Sequence, residues 1–353
     1  MRSEDVLRNS SEIILKRSTF YLLLAVTLLA IPACAETPDC SREEIICAGL
    51  VTNTGGLDDH GFSQDAWNHL QRVRGEGLIQ YGAYIETVDS RDYEKNIATL
   101  ADDHYDIVIT SGNGLRTATL QAADEYPDTI FIGIDQLSDE TRPNLIVIRF
   151  SEDQMGFLAG ALAALITKTD SIGAVCETSQ VESVWKACDG FEKGAAYIND
   201  QIKVTVAFRE GGSSEDFFAD PEWGHEQALI LIENGSDVIF GVGGGTGQGA
   251  LSAAAEQGVF AIGSGQDQFY VMREARDALV TSMVESASPG VADLIRLIRM
   301  GQAPQSVFPG RVEVAPYHDF ESRISMEVQD QIETIRLGLL DGTIQTGVSP
   351  RPK

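Results

Sequence analysis

Short apolar runs alternate with amphipathic stretches along most of the chain. Ile45–Val51, Tyr81–Val88, Ile107–Thr110, Ile130–Asp135 and Leu145–Phe150 have strand length and end in polar or turn residues. Between them, Phe62–Arg74 puts Ala66, Leu70 and Val73 on one helical face, and Tyr93–Asp102 and Thr117–Tyr126 also read as helices. This β-α-β-α rhythm predicts an α/β fold, a parallel sheet with helices on both faces. It restarts after a helix over Glu152–Lys168, whose Gly156, Ala159, Gly160, Ala161 and Ala163 permit close packing. Strands follow at Ser171–Cys176, Val204–Phe208, Val238–Phe240 and Val259–Gly263, with helices at Val184–Ile198, Gly224–Asn234 and Gln248–Gln257. A strand over Leu279–Glu285, a helix over Gly290–Met300, a strand over Arg311–Ala315 and a helix over Ser325–Leu340 end the series. Two units of similar pattern predict two similar lobes. The expected division is 44–150 plus about 265–308 for the first and 151–264 plus about 309–345 for the second, with 346–353 as a tail. Crossing of the chain between lobes would make a hinge and a cleft.

The densest chemical signal in this frame is Asp237–Ala250. A short apolar strand breaks into Gly241, Gly243, Gly244, Gly245, Gly247 and Gly249, and Ala250–Ala255 continues as helix. Glycine lets backbone N–H groups approach a bound molecule, and a helix N-terminus carries partial positive charge. At the carboxyl edge of a parallel sheet this arrangement suits a small molecule, although a tight βα turn with nothing bound needs the same residues. Gly245–Ala250 also fits G-x-G-x-x-A, with Asp267 about 20 residues further on, the pattern of a dinucleotide enzyme. That pattern is weak inside a glycine-rich turn in mid-chain.

The length of 353 residues exceeds one ordinary core and agrees with two domains. A net charge of −27 without any Lys/Arg run excludes a phosphate-backbone partner, so no nucleic acid is expected. Lys16 and Arg17 precede an apolar run from Phe20 to Ile31, which reads as a signal peptide over 1–33 rather than a membrane span. Ile31-Pro32-Ala33-Cys34 is similar to a bacterial lipobox, which makes Cys34 the lipidated first mature residue and 34–43 a linker from the anchor. Ordinary cleavage after Ala33 or Ala35 is the alternative, and the residues before Lys16 read as an over-long start. Apart from Cys34 four cysteines remain, and an even number outside the cytoplasm suggests two disulfides. Cys40–Cys47 and Cys176–Cys188 are the simplest of the three connectivities; the spacings are not those of a zinc site.

Signals for an enzyme are thin. Ser111-Gly112-Asn113-Gly114 ends a strand but is not a G-x-S-x-G elbow. His60, His69, His104, His225 and His318 share no motif with a nucleophile or a metal spacing, although His60 lies in the first glycine loop. Asp58, Asp59 and Asp153 form no calcium loop. A binding protein without cofactor or metal is expected, not an enzyme.

Several motifs, in matching order and spacing, carry a resemblance over about Ile45–Leu340. They are Gly55-Gly56-Leu57-Asp58-Asp59-His60-Gly61-Phe62, Phe157-Leu158-Ala159-Gly160, Asp189-Gly190-Phe191, Phe240–Gly247, Ile262–Gln268 and Thr281-Ser282-Met283-Val284. The chain resembles the basic membrane protein family of bacterial substrate-binding lipoproteins, which includes purine nucleoside receptors of ABC importers. The resemblance implies a type I periplasmic-binding fold: two Rossmann-like lobes, three crossovers and a ligand in the cleft. It implies a small-molecule ligand, an ABC permease with its ATPase, and a lipoprotein on the extracytoplasmic face of the cell membrane. A ligand-sensing surface receptor of the same fold, for a non-nucleoside solute, is the alternative.

By this resemblance Phe62 is a stacking plate for a base, with Ser63 beside it, Asn53 ending strand one and Asp135 ending strand four. A helix-start packing role for Phe62 and a capping or hinge role for Asp135 are the structural alternatives. Trp185 lies near a second aromatic position, and Phe218 and Asp220 near a further contact loop. Gly55-Gly56 with Asp59, Gly112, and Gly243-Gly244-Gly245 complete the expected ligand edge. Two departures matter. Nucleoside binders of the family hold ribose hydroxyls with an Asp where this chain has Gly265, and carry a Lys after Ser-Met-Val where it has Glu285. The exchange reverses the local electrostatics, so that Glu285 either faces a solute or pairs with a neighbouring arginine.

Overall fold

The computed structural model describes residues 38–59, 61–136, 140–211, 218–287, 290–304 and 306–349. The expectations for the signal peptide, Cys34 and His60 lie outside these residues. The first sheet is built from β1 (Cys47–Val51), β2 (Tyr81–Ile85), β3 (Ile107–Ser111), β4 (Ile130–Ile134), β5 (Leu145–Arg149) and β11 (Ser306–Pro309). Its order is β11-β5-β4-β3-β1-β2, parallel throughout. The second holds β6 (Ser171–Cys176), β7 (Lys203–Phe208), β8 (Val238–Val242), β9 (Phe260–Gly265), β10 (Leu279–Ser286) and β12 (Arg311–Val314). Its order, β12-β10-β9-β8-β6-β7, repeats the first. Only β12 is antiparallel to its neighbour β10. The cause is connectivity: β11 follows a helix and can run parallel, whereas β12 follows β11 across the single residue Gly310.

The helices are α1 (Phe62–Gly75), α2 (Tyr93–Asp102), α3 (Arg116–Glu125), α4 (Glu152–Ile166), α5 (Glu182–Ile198), α6 (Pro221–Glu233), α7 (Gly244–Gln257), α8 (Gln268–Val271), α9 (Gly290–Arg299) and α10 (Met326–Asp341). Among the described residues none is long and apolar enough to cross a membrane. Each sheet is buried on both sides, which explains why β1, β3 and β8 are continuous apolar runs rather than alternating ones.

The chain passes between the lobes three times: from β5 to α4, from β10 to α9 and from β11 to β12. The expected return to the first lobe at about 265 is therefore corrected to a point after Ser286. β10 is hydrogen-bonded between β9 and β12 and cannot leave the second sheet. The sequence reading also passed over β11, whose four residues carry too short a pattern to stand out. Two of the crossings lie side by side. Gly310 donates its N–H to the Arg149 carbonyl at 2.6 Å, and a Cβ on Gly310 would sit 2.3 Å from the Phe150 ring.

The small residues of α4 pack on α5. A Cβ on Gly160 would lie 2.0 Å from the Phe191 carbonyl oxygen, and one on Gly194 would lie 1.9 Å from that of Phe157. These contacts are with backbone, which cannot swing away. Gly160→Ala is expected to destabilise the protein by about 1–3 kcal/mol or more, despite alanine's better helix propensity, as urea unfolding would show. Cys40–Cys47 ties the segment before β1 to that strand, and Cys176–Cys188 ties β6 to α5. Both pairs are those read from the spacing.

Candidate functional site

A cavity of about 790 Å³ lies between the lobes. Its walls come from the carboxyl ends of parallel strands in both sheets, where helices and loops diverge and leave room. Asn53, Asp59, Phe62, Asn113 and Asp135 line it from the first lobe, and Phe218, Gly243, Gly244, Gly265 and Glu285 from the second.

The first glycine loop is held by its own side chains. Asn53 Oδ1 accepts from the Gly55 N–H at 2.8 Å, and the Asp59 carboxylate accepts from the N–H groups of Gly61, Ser63 and Gln64 at 2.9, 3.0 and 3.1 Å. Asp59 thus caps the first turn of α1, positions Phe62 and also borders the cavity. Phe62 lies flat on Phe150, ring centroids 5.0 Å apart and planes within 11°, while also lining the cavity. The wall aromatic therefore rests on a residue of the first interlobe crossing.

Five expected residues stand off the cavity wall. Gly56 holds a turn at φ +78°, and its neighbour Gly55 is the lining residue. Ser63 is buried, its hydroxyl 3.0 Å from that of Ser111, pinning α1 to β3. Gly112 makes the turn that presents Asn113. Trp185 packs on Phe208, centroids 5.9 Å apart, because Ser183 and Val184 take the cavity-facing positions of α5. One residue further along a helix turns a side chain by about 100°. Asp220 caps α6, accepting from the Trp223 N–H at 3.1 Å. Phe218, 41% exposed with φ +67°, is the aromatic that the second lobe brings to the cavity.

Sequence reading missed the group that shapes the second wall. Glu177, fully buried, takes the Arg209 guanidinium at 2.5 Å and the Thr246 hydroxyl. Gly243, in the left-handed region at φ +103°, must be glycine, since a Cβ there would meet the Glu177 Cβ at 2.3 Å. Of the three glycines expected to donate, Gly245 gives its N–H to the Phe218 carbonyl at 2.8 Å, which leaves Gly243 and Gly244 on the wall. A charged residue directly after each of β6 and β7 was the available signal for Glu177 and Arg209. Asp267 caps α8 and pairs with His318 Nε2 at 2.8 Å, away from the cavity wall, which removes the acid of the dinucleotide pattern.

Three carboxyl groups remain on the wall: Asp135 after β4, Glu152 opening α4, and Glu285 near the end of β10. Burial pushes Asp135 up to about 7, with the Glu152 charge adding to it. Burial likewise raises Glu152, and raises Glu285 well above the usual carboxylate range, helped by Asp135 and Glu152. The alternative that Glu285 pairs with an arginine is not what is found: among the described residues it forms no ion pair. An acid whose folded value exceeds its unfolded one binds extra protons in the folded state, so stability falls as pH rises between the two values. From the ordinary 3.8 to about 7, Asp135 alone costs on the order of 2–4 kcal/mol above that window. Asp135→Asn is expected to raise the melting temperature near pH 8, about one unit above the window, and to leave it little changed near pH 3, about one unit below it.

No group of His, Cys, Asp or Glu among the described residues could hold a metal ion. The Bmp family, described as ABC transporter substrate-binding protein PnrA-like, matches residues 46–303. The chain is 25% identical over 371 residues to the CD4+ T-cell-stimulating antigen of Listeria monocytogenes, covering 95% of this chain and 100% of the relative. It is 24% identical to the ABC transporter nucleoside-binding protein BmpA of Lactococcus lactis, with 91% and 97% covered. Among solved structures, an ABC transporter solute-binding protein of Conexibacter woesei superposes with a TM-score of 0.68 at 18% identity, over 87% of this chain and all of that one. Substrate-binding proteins of this kind are a non-catalytic class. The chain belongs to the family of PnrA-like ABC transporter substrate-binding proteins.

Proposed function

We propose that the protein is a lipid-anchored receptor of an ABC importer on the extracytoplasmic face of the membrane, and that it captures a small, flat, polar solute of the nucleobase or nucleoside class. One observation carries the reading. The interlobe cavity presents Phe62 from one lobe and Phe218 from the other, with the glycines at the start of α7 beside them. Two rings on opposing walls suit a planar molecule, and stacking contributes about 1–3 kcal/mol per base. The exposed backbone at Gly244 and the helix N-terminus offer donors for its polar edge. The volume lies within the usual range for small-molecule sites. The name of the Lactococcus lactis relative supports the nucleoside class. Anchoring is read from Cys34, and the partners are a permease and its ATPase.

Calorimetry of the purified protein against adenosine, guanosine, inosine and their free bases tests the ligand class. Saturable binding of at least one, lost on Phe218→Ala, is the expected result. Failure of all of them, with another solute class bound, would remove the purine part and keep the receptor. Mass spectrometry of protein from a native membrane should find the mature N-terminus at Cys34 with acyl chains; an unmodified N-terminus at Cys34 or Glu36 would end the anchor.

A further inference from the structure

We propose that the solute carries a positively charged nitrogen, which Asp135, Glu152 and Glu285 together hold between the two lobes. The inference rests on the receptor reading above and deepens it by naming the charge of the ligand.

The first support is the composition of the wall. Among the described residues lining the cavity there are four acids and no Lys, Arg or His. Asp59 is already occupied by three backbone N–H groups, so its charge is answered from within. Among the described residues the other three acids form no ion pair. The cations that act on Glu152, Lys186 and Arg149, do so from outside the cavity, and Lys186 is engaged with Glu182 at 2.8 Å.

The second support is Glu152 itself. It is 7% exposed, it lines the cavity, and among the described residues only its own N–H is directed to its carboxyl. A carboxylate at the first turn of a helix is ordinary, because it favours the dipole. A buried one on a cavity wall without a partner is not, since burying an unpaired charge is costly. Such a group fits a site whose partner arrives with the ligand.

The third support is where the acids sit. Asp135 belongs to the first lobe, and Glu152 and Glu285 to the second, each within two residues of an interlobe crossing or beside one. Approach of the lobes brings like charges together. A cation placed among them converts that repulsion into attraction, so closure becomes favourable only when the charge is present. A neutral solute of the same shape would leave the repulsion in place, or would need the acids protonated. Charge selection and closure are then the same event. The net charge of −27 adds a long-range attraction for cations approaching the cleft.

The test is calorimetry near neutral pH on the purified protein with two matched pairs: adenosine against 1-methyladenosine, and tryptophol against tryptamine. In each pair one member is neutral and the other cationic. The expected result is that the cationic member binds at least about tenfold more tightly, a difference of about 1.4 kcal/mol. Titration in buffers of different ionisation enthalpy should show protons released on its binding. Glu285→Gln and Glu152→Gln should each erase most of that preference, read as the ratio of the cationic to the neutral member's affinity within each pair. Equal binding within both pairs, no binding by either cation, or a preference that survives both variants would overturn the proposal. A variant that fails to fold does not rescue it, because the wild-type comparison stands alone. A preference for tryptamine without any nucleoside binding would sink the nucleoside class and keep the cation. Equal binding of the two nucleosides, with no preference for tryptamine over tryptophol, would do the reverse.

Discussion

Glu177→Ala is expected to destabilise the protein by about 3–5 kcal/mol, the range for breaking a buried ion pair by removing one partner. Glu177 is fully buried and carries two contacts at once, the Arg209 guanidinium at 2.5 Å and the Thr246 hydroxyl. Removing it leaves a charged group in the interior without the carboxylate it was folded against. It also opens the space under Gly243, whose backbone passes so close that no side chain fits. The start of α7 then loses its support, and cleft affinity should fall together with stability. Urea unfolding and ligand titration on the same samples check both. Replacing Glu177 by Leu and Arg209 by Met together should recover much of the loss in stability, since the buried charge leaves with its partner and the pair given up, Arg209 with the half-exposed Asp220, is longer at 3.6 Å. If the double variant is no better than Glu177→Ala, the fault lies in packing and not in the loss of the buried carboxylate opposite Arg209.

The second large effect concerns the aromatic wall. Phe62→Ala is expected to weaken binding of a flat solute by about 1–3 kcal/mol, roughly five- to 150-fold. The structure adds a stability cost that the sequence reading did not contain. Phe62 stacks on Phe150 and touches the core of the first lobe, so the apo protein should lose about 0.5–1.5 kcal/mol from the ring pair. Phe150→Leu supplies the contrast. Phe150 is 7% exposed and meets Gly310 at the crossing, so its loss should fall mainly on stability and on the hinge. Calorimetric affinity and melting temperature, measured on both variants, should therefore rank them in opposite orders. Equal rank in both measurements would make Phe62 an ordinary core residue.

Much of the site was legible as loops and little of it as individual roles. Asn53, Asp135, Phe62, Gly244 and Glu285 were found from motif position, and all of them reach the cavity wall. Asp59 and Asp220 were read as solute contacts because an acid in a glycine loop is ambiguous between a ligand and a cap. Hydrogen bonds to Gly61, Ser63 and Gln64, and to Trp223, give both a capping role, while Asp59 keeps its place on the cavity wall. Trp185 stands off the wall for a different reason: on α5 a step of one residue moves a side chain to another face of the helix, and Ser183 and Val184 take the wall.

What the sequence by itself determined is the local order: which runs become strands, which become helices, and that two such series occur. Those features depend on period, turn residues and short loops, all carried by neighbours in the chain. Only the tertiary structure decided what lies far apart in sequence and close in space. It placed β10 in the second sheet, joined Glu177 to Arg209 and Thr246, and brought Asp135, Glu152 and Glu285 to one wall. The physical reason is that electrostatic and packing energies depend on distance through space. A carboxyl group's partners, and so its charge, are set only after the two lobes have come together.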